Sequence, residues 1–95
     1  MRFFGWHLVK VSGNSMKPLL EDGSFAVFHR AKAVKAGDVV LVDHQKFGRI
    51  IKSVKGRDSN GISLMGLHPD SMPPEKLGHI SEKRIIGRLV WQLNQ

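Results

Sequence analysis

The sequence predicts a mainly β fold in a single small domain spanning residues 1–95. Short β-favouring runs alternate with Gly, Pro, Asn and Asp punctuation, as in a meandering antiparallel sheet. The run Val39-Val40-Leu41-Val42 has no polar alternation, so that strand is expected to be buried on both faces. The pair Asn60-Gly61 lies between two apolar runs and is the strongest short-range hairpin signal in the chain.

Taken in order, Met1 to Lys10 has interrupted hydrophobicity and no small-residue cleavage site, so it is not read as a signal peptide and a cytoplasmic location is expected. Phe3, Phe4 and Trp6 beside Arg2 and Lys10 fit two readings, a weak contact with a membrane surface or a first strand that covers the core. Strands are expected at His7 to Ser12, Phe25 to His29, Asp38 to Asp43, Arg49 to Lys55, Gly61 to Met65 and Ile85 to Leu93. Ser15 to Glu21 reads as a helical turn kept short by Pro18. Lys46-Phe47-Gly48 reads as a tight reversal. Leu67 to Leu77, with Pro69, Pro73 and Pro74, reads as an ordered loop.

Composition narrows the function. With no cysteine, disulfides, thiolate metal sites and cysteine nucleophiles are excluded. The five histidines lack the short spacing of ligand pairs, so neither a metal nor another cofactor is expected, and no apolar run is long enough to span a bilayer. Asp43 and His44 are strand neighbours that point to opposite faces, which argues against an acid–base dyad. A net charge of +7 suits an acidic partner, anionic lipid or nucleic acid. The basic residues are scattered and no nucleic-acid-binding motif is present, so a solvated basic surface is expected and nucleic acid is not.

The chemistry lies in Val11-Ser12-Gly13-Asn14-Ser15-Met16-Lys17-Pro18 and, later, in Arg49-Ile50-Ile51-Lys52-Ser53-Val54. A serine hydroxyl becomes a useful nucleophile only when a base removes its proton during attack. Lysine serves as that base if burial disfavours its ammonium form. Alternation places Ile50, Lys52 and Val54 on one strand face, among apolar neighbours. Each residue also has a plainer reading: Ser15 as a helix N-cap, Met16 as core filler and Lys52 as a solvent-facing strand lysine.

These two segments together resemble the signal peptidase I and LexA-like serine–lysine peptidases, whose nucleophile motif is a valine-x-glycine-x-serine-methionine-x-proline string. The resemblance extends through Glu21-Asp22-Gly23-Ser24, Gly37-Asp38-Val39-Val40 and Ile85-Ile86-Gly87-Arg88-Leu89-Val90, covering roughly residues 9 to 91. It implies twisted antiparallel sheets, partly barrel-like. It also implies Ser15 as nucleophile, Lys52 as general base, the Ser15 N–H as part of an oxyanion hole, Gly13 as a point of close backbone approach and Met16 as a pocket wall. Ser53 stands where the family has arginine after the lysine. Ser71 aligns with the serine that hydrogen-bonds the lysine, and equally reads as a turn serine after Asp70. Leu67-His68 and Pro73-Pro74-Glu75 depart from the family's aspartate-asparagine and aspartate-serine-arginine.

Only fourteen residues precede Ser15, so neither a self-cleavage segment nor a membrane anchor is expected before it. Among the family's members, the chain is most similar to nickel-type superoxide dismutase maturation proteases. The expected function is a serine endopeptidase that removes an N-terminal propeptide from a protein substrate. The alternative is a catalytically degenerate binding module on the same fold, contacting a protein or a membrane.

Overall fold

The computed structural model describes residues 4–94. Arg2 and Phe3, invoked above for membrane contact, lie outside the described residues. Seven strands, all paired antiparallel, form one sheet: β1 (Trp6–Lys10), β2 (Phe25–His29), β3 (Val39–His44), β4 (Gly48–Asp58), β5 (Gly61–Met65), β6 (His79–Ile80) and β7 (Ile85–Leu93), in the spatial order β1-β2-β7-β3-β4-β5-β6. A one-turn helix α1 (Pro74–Leu77) and a 3-10 turn at Glu82–Arg84 complete the elements.

β3 is the strand on which the core is built. Val39, Val40, Leu41 and Val42 are all buried, as the missing alternation predicts. Val40 and Val42 pack with Val54, Ile62, Leu64 and Leu77, whereas Val39 and Leu41 pack on the other face with Met16, Leu20, Ala26 and Phe28. Each such side chain contributes roughly 1.5–3 kcal/mol on burial, and β3 distributes its own between two clusters.

β2, β5 and β7 have the bounds read from the sequence; β1 starts one residue earlier and ends two residues earlier than read, and β3 is shifted by one. Two turns follow their local chemistry. The β4–β5 hairpin turns on Ser59-Asn60, with the Asn60 N–H donating to Asp58 Oδ1 at 2.8 Å. The β3–β4 loop, Gln45 to Phe47, returns through Gly48 at φ +74°, a left-handed position that glycine adopts at low cost.

Three expectations are corrected. β4 continues to Asp58 because a register shift between Val54 and Gly56 carries the strand past a glycine that reads as a stop. Ser15 to Glu21 is a succession of turns, not helix: Lys17 N–H bonds Asn14 O and Leu20 N–H bonds Met16 O, and Pro18 has no N–H to continue a helical ladder. The segment Leu67 to Leu77, expected as loop throughout, ends in α1, where Pro74 takes the first helical position and Gly78 (φ +66°) closes the turn. The two-residue β6 is too short to leave a pattern.

His44 joins the end of β3 to α1. Its Nδ1 accepts from the Lys46 and Phe47 backbone N–H groups at 3.0 and 3.2 Å, so the ring proton sits on Nε2 and donates to Leu77 O at 2.8 Å. His44 is buried and Asp43 exposed, as strand alternation requires. Replacing His44 by Phe should retain the ring contact with Phe47 (centroids 4.9 Å apart) but strand two donors and an acceptor. Urea unfolding of His44→Phe should show a loss of about 1–3 kcal/mol.

Candidate active site

Ser15 lies in the connection between β1 and β2, closed at its base by Val11 N–H to Ser24 O (2.7 Å) and Gly23 N–H to Val11 O (2.8 Å). Asp22 Oδ1 accepts the Gly13 N–H at 2.8 Å, and Gly13 has φ +90° with open space where a Cβ would sit. Backbone conformation, not crowding, favours glycine there. On the inner side Met16 and Leu20 are buried against Ala26, Phe28 and Leu41, and Gln92 of β7 donates to Leu19 O at 2.8 Å.

The Ser15 carbonyl accepts three hydrogen bonds from one distant segment: Leu67 N–H at 2.7 Å, His68 N–H at 3.0 Å and Ser71 Oγ at 2.9 Å. That segment runs on directly from β5, whose last residue, Met65, is paired with Ser53 of β4. Lys52 is the residue before Ser53. The clamp on the Ser15 carbonyl therefore brings the serine beside the stretch of β4 that carries the lysine.

Lys52 pairs in register with Val40 on β3 and shares its face with Ile50, as the alternation predicts. It is 7% exposed and forms no side-chain hydrogen bond or ion pair among the described residues, so it is not a solvent-facing strand lysine. Burial without a charge partner pushes its pKa below the usual lysine value.

Ser15, Met16, Leu41 and Lys52 line one groove of about 420 Å³ between β1 and the first half of β4. Three strands separate β1 from β4 in the sheet, so the sheet curls to bring them together, which is the barrel-like closure expected. Both bounding backbones have a free edge: β1 is terminal in the sheet, and β5 pairs only with Ser53 to Asp58 of β4. On its other side Ser15 borders a cleft of about 290 Å³, lined by Asn14, His68, Asp70, Ser71 and Met72.

Ser15, Lys52, Gly13, Met16 and Ser71 thus converge on one region. No hydrogen bond joins Ser15 to Lys52, or Ser71 to Lys52, among the described residues; the Ser71 hydroxyl instead holds the Ser15 carbonyl. The Ser15 N–H donates to no other described residue. Sequence reading took His68 as a departure from a motif and Asp70 only as the residue before a turn serine, yet the His68 backbone is part of the clamp and its Nδ1 accepts from Asp70 N–H at 3.1 Å. It also passed over Gly66, where an added Cβ would overlap the Ser71 side chain and lie 3.0 Å from Ser15 O. Nothing in a one-dimensional pattern marks that close approach.

Residues 6–90 match the family described as Peptidase S24-like, and the chain belongs to that family. No curated protein matches the chain.

Two outcomes follow from the geometry. Ser71→Ala should cost about 1 kcal/mol in urea unfolding, because Ser15 O keeps two of its three donors; Gly66→Ala should cost more, since it displaces Ser71 and crowds the same carbonyl. Lys52→Met should stabilise the protein at neutral pH. The lysine's folded pKa lies below its unfolded one, so between those values the unfolded chain binds the extra proton and stability rises with pH. The wild type should gain stability as pH climbs toward the ordinary lysine value of 10.5, and Lys52→Met should lack that rise.

Proposed function

We propose that this member of the peptidase S24-like family is a serine endopeptidase in which Ser15 is the nucleophile and Lys52 the general base. The observation that carries the reading is the placement of a buried, uncompensated lysine in the same groove as a half-exposed serine. A lysine in that setting has lost the hydration that keeps it protonated, which poises it to accept a proton.

In the proposed reaction the Ser15 Oγ attacks the scissile carbonyl while its proton passes to neutral Lys52 Nζ. The negative charge that develops on the carbonyl oxygen is met by the unpaired Ser15 N–H. Collapse of the tetrahedral species breaks the C–N bond, and Lys52 returns the proton to the leaving amine. Water, deprotonated by Lys52 in turn, then releases the acyl group and regenerates Ser15. A hydrogen bond of this kind often forms fully only once substrate is seated, consistent with the separation of Ser15 and Lys52 in the free protein.

The substrate is proposed to be an extended polypeptide. Its backbone would add to the free edges of β1 and β4, as strands do in β-augmentation, with Met16 and Leu41 restricting the side chain beside the cut. The cleft beyond Ser15 would receive the leaving side. Resemblance to nickel-type superoxide dismutase maturation proteases supports an N-terminal propeptide of such a dismutase as the substrate. A non-catalytic binding module on the same groove is the second reading, favoured by the absence of a Ser15–Lys52 hydrogen bond among the described residues.

Co-expression with a nickel superoxide dismutase precursor, read by intact mass, should show loss of a defined N-terminal peptide, and none with Ser15→Ala. A fluorophosphonate probe tests the chemistry without assuming that substrate: an adduct on Ser15 in the wild type supports the nucleophile, and no adduct at any pH leaves the binding module. Lys52→Ala should lower the labelling or cleavage rate by about 10²–10⁴-fold. The wild-type rate should rise with pH and level off above the depressed Lys52 pKa. A flat profile would remove lysine as the base.

A further inference from the structure

The sheet has one face that is covered at one end and bare at the other. Cross-strand partners share a face, so Leu8, Val27 and Trp91 form one row, Lys10, Phe25 and Leu93 a second, and Trp6, His29 and Arg88 a third. Arg88 is in turn paired with Val40, which places the same face of β3 and β4 in the core cluster under Val34, Leu77 and Ile80. Over β1, β2 and β7 no such cover exists among the described residues. Trp6 is 49% exposed, Leu8 69%, Trp91 56%, Leu93 55% and Phe25 36%. Scattered exposed apolar residues are ordinary; a contiguous field of this kind, in register across three strands, marks an interaction surface.

The charge around the field identifies its partner. On the bare face β1, β2 and β7 present Lys10, Arg88 and His29 beside the two tryptophans, Trp6 and Trp91, and the three strands contain no Asp or Glu. All eight carboxylates of the chain lie elsewhere, and the chain carries a net charge of +7; Asp38 reaches Arg88 at 3.6 Å from outside the three strands. Pairing with a second copy would bring Lys10 toward its own counterpart with no carboxylate on the three strands to compensate it. An anionic lipid surface supplies the missing negative charge and takes up the apolar side chains together. Trp6 and Trp91 suit that boundary, since indole is apolar in body with one N–H donor.

We infer that the bare end of this face, on β1, β2 and β7, docks on the anionic surface of a phospholipid bilayer. The contact is interfacial and spans nothing: no helix among the described residues is long and apolar enough to cross a membrane. It includes β2 and β7, which the sequence reading of an N-terminal contact did not. It is independent of whether Ser15 is a nucleophile.

The chain has only two tryptophans and both lie in this field, so intrinsic fluorescence of the unmodified protein reports on it directly. With vesicles of equal parts phosphatidylcholine and phosphatidylserine, emission should shift to the blue and be quenched when the acyl chains are brominated. Partition onto phosphatidylcholine alone should be at least about tenfold weaker. Trp91→Ser combined with Leu93→Ser, followed by vesicle co-sedimentation, should reduce binding about tenfold or more. No shift or quenching with the native protein would overturn the inference, as would equal partition onto both vesicle types. Blue-shifted emission without lipid, accompanied by a dimer in sedimentation velocity, would assign the face to a second copy instead. Should the double variant fail to fold, bromolipid quenching of the native protein decides alone.

Discussion

The site depends on the carbonyl of Ser15. Three donors converge on that oxygen, two of them backbone N–H groups and one the Ser71 hydroxyl, which lies 56 residues away along the chain. Individually such bonds add about 0.5–1.5 kcal/mol. Their arrangement matters more than their sum, because a carbonyl held in three directions fixes the peptide plane on one side of Ser15. The clamping segment is itself anchored at both ends, by the pairing of Met65 with Ser53 and by the bond from His44 to Leu77 O. A loop serine thereby acquires the positional definition of the sheet. Gly66 is the condition for this closeness, since any side chain there would occupy the space of Ser71.

β3 sets the other half of the arrangement. A strand buried on both faces forces its neighbour β4 to lie against the core, and Lys52 is the residue of β4 that pairs with Val40. Burying an ammonium without a carboxylate partner is unfavourable, and the chain sustains it because the surrounding apolar packing is fixed by β3. The depressed Lys52 pKa is thus a property of the fold's centre, produced by desolvation alone. No salt bridge offsets it, which is what distinguishes Lys52 from Arg57 and Arg88, both held near carboxylates at the surface.

Much of this was legible in the chain, wherever local chemistry and tertiary environment agree. The unbroken Val39 to Val42 run announced two-sided burial, and the alternation around Lys52 announced its apolar face. β2, β5 and β7 kept their read bounds because turns or loops delimit them. What was not legible depends on contacts between distant segments. Ser15 to Glu21 read as a short helical turn, whereas the chain there runs through successive turns whose Met16, Leu19 and Leu20 side chains are drawn onto Ala26, Phe28 and Leu41 of the sheet. The fourth strand read as ending at Lys55 because a register shift cannot be seen from one strand. Ser71 read as a partner of lysine or a turn residue, whereas its hydrogen bond to Ser15 O arises only when the segment after β5 folds back over the Ser15 loop.

A lysine base suits a domain of this size. A histidine base needs a third group to set its tautomer and orientation, and this chain uses its one buried histidine, His44, in structural bonds at both ring nitrogens. Lysine has no tautomer to choose and asks only to be desolvated. A sheet that must bury one strand on both faces already provides a dry position on the neighbouring strand, so the requirement of the base coincides with a by-product of folding. On the proposed mechanism the nucleophile comes from a loop that needs no secondary structure of its own, provided one carbonyl is clamped. On this reading a single sheet of seven strands suffices for the chemistry, because the same packing that stabilises β3 also depresses the pKa of Lys52.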